Sequence, residues 1–256
     1  MNPFVVVPWH RDKELEQFKA AWRINAVPEW LIFQHDAKRE GCGVTKNNGI
    51  RHAVSRGCDV VVILDGDCYP SGNCKTLEDL AGAHMVALEP QPVQMFHEVT
   101  NPPSRGTPYG ELTLVMPVAA SMGFWLNVPD YCAVRQLAFA AEAMTFDHRP
   151  VYGRYFPLCG MNLAFRPNQW WPWCKFIDVP RFDDIWMGWL WQKHAYHEGY
   201  CFNLNGPTIT HARQSNVWRN LQDEAVHLEA NETLWREIAR APMWEYEALR
   251  KLLPPV

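Results

Sequence analysis

Apolar positions in the first quarter of the chain come in short unbroken runs separated by stretches of helical spacing. Residues 4–8 (FVVVP) form one such run, and residues 59–64 (DVVVIL) form a stronger one bounded by polar residues. Unbroken β-branched runs predict strands buried on both faces, as in parallel sheets. Between them, residues 12–22 carry helical spacing, residues 30–33 predict a second strand, and residues 46–55 predict a helix stopped by Arg56-Gly57. Strand, helix, strand, helix, strand within the first 65 residues predicts parallel strands joined by right-handed crossovers.

Downstream the pattern loosens. Residues 86–118 are rich in Pro and Gly, and within them 101–109 (NPPSRGTPY) predicts a loop and 112–118 a strand. Residues 131–144 are Ala-rich and helical in pattern, 162–165 predict a short strand, and 183–196 an aromatic-rich helix. From residue 221 the chain is charged and helical, with Asn231 placed to cap one helix and Pro242 to begin another. The division expected is one α/β domain over residues 1–220 and a helical C-terminal extension over 221–256.

Composition narrows the classes. With 48% hydrophobic and 20% charged residues over 256 positions, the chain can bury a large core and is not disordered. No run approaches the ~18–20 apolar residues that span a bilayer, and no basic, apolar leader opens the chain. Cytoplasmic residence and no membrane partner are the expectation. Twenty-four Lys and Arg against 28 Asp and Glu leave a net charge of −4, so any nucleic-acid contact has to be local. Eight cysteines form no C-x-x-C pair and predict reduced, mostly buried thiols. Thirteen tryptophans are an excess that either a core or a stacking surface can use.

Candidate chemistry starts at Asp65-Gly66-Asp67, directly after the 59–64 run. Residues two apart share a face, so both carboxylates can converge on one hard cation at the carboxyl edge of the sheet. A turn that merely ends the strand is the plain alternative. His211 follows a strand-like stretch and can add an imidazole ligand; a surface or core histidine is its alternative. Asp183-Asp184 opens the aromatic helix, where acidic residues cap. Partly desolvated at a sheet edge, the same pair can serve as a general base.

Several segments together resemble a known family. Lys46-Asn47-Asn48-Gly49-Ile50, leading to Ile63-Leu64-Asp65-Gly66-Asp67-Cys68, looks like the nucleotide-sugar half of a GT-A glycosyltransferase. The stretches 123–131 (GFWLNVPDY), 156–165 (FPLCGMNLAF), 181–189 (RFDDIWMGW) and 211–216 (HARQSN) are similar to the reversibly glycosylated polypeptides of plants, which include UDP-arabinopyranose mutases. The resemblance covers roughly residues 4–220. It implies an α/β, Rossmann-like GT-A fold with a mixed sheet and a UDP-sugar donor. It also implies Mn²⁺ or Mg²⁺ on Asp65, Asp67 and His211. Pro8 and Arg11 would then lie near the nucleotide, and Gln34 and Asp36 near the uracil. Arg213 or Lys46 would hold the donor diphosphate, Asn48 would be a further donor-binding residue, and Gly160 and Asn162 would border the sugar. Asp184, then Asp183, would be the base.

Three positions depart from the family pattern. Gly66 stands inside what is an acidic triplet there, Thr113 stands where the family has an Arg that carries the transient sugar, and Met122 replaces a His. A donor half without the self-glycosylation residue favours a metal-dependent, inverting glycosyltransferase with a separate acceptor. Hydroxymethylated pyrimidines in phage DNA are one option, with Trp170, Trp171 and Trp173 as stacking candidates. A UDP-sugar mutase and a non-catalytic nucleotide-sugar binder are the alternatives. An oligomer is compatible with each.

Overall fold

The computed structural model describes residues 1–38, 40–95, 113–128, 130–139, 147–212 and 216–254. Its strands are β1 (Pro3–Trp9), β2 (Leu31–His35), β3 (Val60–Leu64), β4 (Cys68–Tyr69), β5 (Gln91–Gln94), β6 (Thr113–Met116), β7 (Val118–Met122), β8 (Trp125–Asn127), β9 (Pro150–Val151), β10 (Asn162–Phe165), β11 (Cys201–Asn203) and β12 (Ile209–His211). Its helices are α1 (Asp12–Ala21), α2 (Cys42–Ser55), α3 (Leu77–Ala87), α4 (Ala133–Phe139), α5 (Pro167–Trp170), α6 (Asp183–His197), α7 (Val217–Ala225), α8 (Leu228–Arg240) and α9 (Tyr246–Arg250). No helix among the described residues is long and apolar enough to cross a membrane.

Seven strands form the main sheet in the order β2-β1-β3-β10-β7-β11-β9. β1 lies parallel to both β2 and β3, as the crossover pattern predicts. All five residues of β3 are buried. β10 runs antiparallel between β3 and β7, so the sheet is mixed. This is the α/β, Rossmann-like architecture that the resemblance implies.

Four local expectations need correction. The run 112–118 is not one strand: β6 pairs with β5 in a separate ribbon, and β7 enters the main sheet after Pro117. Proline has no N–H to give a ladder, which breaks the run there. α2 begins at Cys42, a turn before the expected Lys46. Gly41, at φ 106, precedes it, and the Asp36 carboxylate accepts the N–H groups of Glu40 and Gly41, so this start is built by loop chemistry. Asn231 does not cap but lies within α8, where its Oδ1 accepts the Trp186 Nε1–H at 3.1 Å. Asn216 is the residue that caps α7, and Pro242 lies ahead of α9, which starts only at Tyr246. Residues 220 and 221 both lie inside α7. The loop expected at 101–109 and the end of the helix expected over 131–144 lie outside the described residues.

The tryptophan excess resolves mainly into core. α6 buries residues around most of its circumference, Trp186 and Trp191 fully. Trp191 packs edge-on against Phe165 and Phe202 from the sheet, and Trp170 tilts against it at 5.7 Å. Trp173 stacks on His194 at 4.2 Å. Trp170 and Trp173 are therefore core, and of the expected stacking trio only Trp171 is exposed. All eight cysteines are free thiols, and five of them are buried.

Candidate active site

The carboxyl ends of β1 and β3 meet a small second sheet, β4-β12-β8, which fixes the Asp65–Asp67 turn in space. The Asp65 N–H donates to Met161 O and the Cys68 N–H to Asp65 O, both at 3.0 Å. Across the ladder Cys68 faces His211, and the Ala212 N–H donates to Asp67 O. Residues about 140 positions apart in sequence are thereby set side by side. Gly66 has a local reason: a Cβ there would stand 3.3 Å from the Pro8 carbonyl.

His211 is 8% exposed, and its Nδ1–H donates to Val128 O at 3.0 Å. That bond turns Nε2 toward Asp67 Oδ2, 3.7 Å away. Burial works against the imidazolium, but Asp67 and the Val128 carbonyl outweigh it and raise the pKa.

On the other side of the turn, α2 delivers Lys46. Gly49, one turn on, lets the helix press against β1, since a Cβ there would meet Val6 Cγ1 at 2.3 Å. Lys46 is 3% exposed, with its ammonium 2.9 Å from Asp65 Oδ1 and 5.2 Å above the Phe176 ring. Asp183 and Asp184 face the same ammonium from the start of α6. Asp184 Oδ2 accepts the Gly160 N–H at 2.7 Å. Asp183 Oδ2 is shut from solvent without a hydrogen bond and lies against Gly43, where a Cβ would stand 3.0 Å from it. Burial and then the neighbouring Asp184 raise the Asp183 pKa to about 7. The single Lys46 ammonium facing Asp183 pulls the other way but does not offset burial and the neighbouring carboxylate. Burial likewise raises Asp65 against the pull of Lys46, while the lysine stays an ammonium because the surrounding carboxylates outweigh its own burial.

A third acidic position is Asp130, raised by burial and then held back by Arg181. Arg181 adopts φ 67, just before α6, and its Nε donates to Glu224 Oε1 at 3.0 Å. Glu224 is 2% exposed, and its other oxygen accepts the Ala133 N–H at 2.7 Å. One buried carboxylate on α7 thus ties the entry to α6 to the start of α4.

The structure brings together Lys46, Asp65, Asp67, Asp183, Asp184, Gly160 and His211. It assigns other tasks to several expected residues. Arg11 is exposed and pairs with Glu14 at 3.3 Å. Asp36 braces the loop before α2, and the Asn48 amide pairs with Arg51 along the helix surface. Pro8 is buried against Gly66, with Gln34 half-buried beside it in the parallel pair. Asn162 is fully buried, with its side chain taken up inside the protein: its Oδ1 meets His84 Nε2 at 2.8 Å and its amide donates to Pro207 O at 2.7 Å. Arg213 lies outside the described residues. Sequence reasoning did not single out Asn47, Asp130 or Glu224. Asp130 and Asn47 stood inside the recognised segments, whereas Glu224 carried no local signal.

The expected ligand set for a divalent cation is Asp65, Asp67 and His211. Among the described residues no group of three His, Cys, Asp or Glu side chains stands ready to hold a metal ion. Asp65 is engaged with Lys46, which leaves Asp67 and His211 as a facing pair. One carboxylate beside one imidazole whose other nitrogen is anchored on a carbonyl is a mixed oxygen–nitrogen pair, which fits Mn²⁺ better than the oxygen-seeking Mg²⁺.

A family model described as "Reversibly glycosylated polypeptide" matches residues 52–236. "Probable UDP-arabinopyranose mutase 1" of Pisum sativum is 32% identical over 187 residues, 64% of this chain and 50% of the relative. The Solanum tuberosum protein of that name is 32% identical over 197 residues, 69% of this chain and 52% of its own length. "UDP-arabinopyranose mutase 3" of Arabidopsis thaliana is 30% identical over 207 residues, 70% of this chain and 53% of its own. The chain spans about half the length of the curated relatives it matches. These names correct the expectation of transfer to a separate acceptor such as phage DNA and favour the mutase alternative.

Proposed function

The chain belongs to the reversibly glycosylated polypeptide family, and from that premise we propose that it is a UDP-sugar mutase, interconverting the six- and five-membered ring forms of a UDP-linked pentose such as arabinose. The observation that carries the reading is the family match across residues 52–236, which contains Asp65, Asp67, Asp130, Asp183, Asp184 and His211.

Ring exchange at the anomeric carbon sets the chemical demand. UDP leaves C1 with the C1–O bond pair, and ring oxygen O5 supports the resulting cation. Attack of the O4 hydroxyl on C1 gives a bicycle in which C1 holds both oxygens, and the O4 proton must be taken up. Return of that proton to O5 as the C1–O5 bond breaks leaves the five-membered ring, and UDP re-adds to C1. This route needs no sugar bound to the protein, in keeping with Thr113 at the position of the family's arginine. A single carboxyl that both takes and gives the proton works best with a pKa near the working pH. Asp183, raised to about 7, meets that demand better than Asp184, whose Oδ2 accepts the Gly160 N–H. A divalent cation held by Asp67 and His211 would neutralise the departing diphosphate.

The test is incubation of the protein with UDP-arabinopyranose and Mn²⁺, followed by chromatography of the nucleotide sugars. A UDP-arabinofuranose product that disappears in Asp183→Asn is expected. Absence of the furanose form with folded, Mn²⁺-supplied protein overturns the reading.

A further inference from the structure

Helix α7 reverses the usual amphipathic pattern. It buries Asn220 and Glu224 and leaves Trp218 64% exposed. A buried carboxylate is costly unless partners offset its desolvation. Glu224 finds those partners on two distant segments. Its Oε2 accepts the Ala133 N–H that opens α4, a helix with no acidic residue of its own in the first turn. Its Oε1 accepts the Arg181 Nε–H at 3.0 Å. Arg181 stands at φ 67, a backbone region that a residue with a side chain keeps only when its surroundings hold it there. It lies just ahead of Asp183 and Asp184 in the chain, and its guanidinium faces Asp130 and Asp184 as well as Glu224. Asp184 in turn holds the Gly160 N–H at 2.7 Å. A path Glu224–Arg181–Asp184–Gly160 thus runs from α7 into the site.

We propose that Glu224 is a positioning residue for the reaction: by fixing Arg181 it holds the first turn of α6, and Asp184 with it, in the working geometry. Helix α7 is on this view part of the catalytic unit and not an appendage to it. The inference rests on the mutase reading for the reaction being positioned, whereas the path itself can be tested without turnover.

The test is amide hydrogen exchange of ¹⁵N-labelled protein, with the Gly160 N–H read against the buried amides of β3. Glu224→Gln keeps the volume but offers one oxygen to two donors. In it the Gly160 N–H is expected to be accelerated at least about tenfold more than the β3 amides, a local loosening that a merely structural role would not give. Arg181→Met is expected to do the same, and the double variant to exceed neither single by more than about twofold, as for two parts of one path. With UDP-arabinopyranose, Glu224→Gln is expected to lower kcat at least about tenfold and to leave KM within about threefold. Gly160 and β3 amides accelerated alike overturn the proposal, as does a double variant whose effect is the product of the singles, or a kcat unchanged in Glu224→Gln. Where Glu224→Gln does not fold, Arg181→Met decides by the same exchange comparison. Wild-type protein that makes no furanose form overturns the mutase reading instead, and the exchange pattern still decides whether Glu224 positions Asp184.

Discussion

Asn47 and Phe176 exchange a reciprocal pair of hydrogen bonds, 2.8 Å from the amide to the Phe176 carbonyl and 2.9 Å from the Phe176 N–H to the amide oxygen. The asparagine side chain thereby imitates a strand neighbour and joins α2 to the segment that leads into α6. Lys46 is adjacent in sequence to the clamp, and Asp183 follows it on the other side. The clamp holds the helix that carries Lys46 against the segment that leads to Asp183.

Asn47→Ala is expected to leave a buried N–H and a buried carbonyl without partners, costing about 3 kcal/mol. A urea denaturation midpoint indistinguishable from wild type would count against the clamp. Activity is expected to fall further than the loss of stability explains, because Asp183 and Asp184 drift from Lys46.

Asp183 is expected to make the protein less stable as pH rises. Its folded pKa, about 7, lies above the ordinary 3.8. The folded state therefore holds the proton more tightly, a contribution fully present below pH 3.8 and lost as pH rises through 7. Asp183→Asn removes that cost and is expected to be more stable than wild type at pH 8, by roughly 1–3 kcal/mol, while losing turnover by at least about a hundredfold. Denaturant curves at pH 5 and pH 8 check it: the gain should be present at pH 5 and clearly larger at pH 8.

His84 sets the opposite slope. It is fully buried between Ser121 and Asn162, and burial lowers its pKa to about 4 against the opposing Asn162 bond. Asn162 gives its NH₂ to Pro207 O and so presents its oxygen, which places the proton on His84 Nε2 and makes Nδ1 the acceptor of the Ser121 hydroxyl. Unfolded, this imidazole protonates near 6.5, so stability is complete above that pH and declines by about 3 kcal/mol by pH 4. His84→Gln should flatten that share of the decline. Parallel curves for the two proteins between pH 7 and pH 4 would sink the assignment.

Glu224→Ala strips Arg181 of its partner and the Ala133 N–H of its acceptor. A loss of about 2–3 kcal/mol is expected, moderated because Arg181 keeps access to water. Removing Arg181 as well should recover part of it. Thermal or chemical denaturation of the two single variants and the double variant closes the cycle.

Much of the fold was legible because its signals are local. The FVVVP and DVVVIL runs become β1 and β3, and the helical spacing between them becomes α1 and α2. The acidic turn was legible for the same reason, as was the pair at the start of α6. What stayed hidden depends on partners far along the chain. Nothing around Asn162 says that its amide is consumed by His84 and Pro207, and nothing around Glu224 says that it joins two distant segments. Arg11 and Asn48 had the right chemistry in the right neighbourhood, yet each lies where a side chain three residues away is the nearer partner. The role of Asp65 was half visible: its charge was plain, but its pairing needed the packing of α2 on β1.

That packing has a further consequence. With Gly49 pressed into Val6, α2 cannot slide or roll on the sheet without collision, and Lys46 rides on it one turn away. The Lys46 side of the site is therefore a die already cut, its shape settled when the chain folds. The spacing between Lys46 and Asp65 is a property of the folded protein, so no binding partner has to spend affinity on creating it.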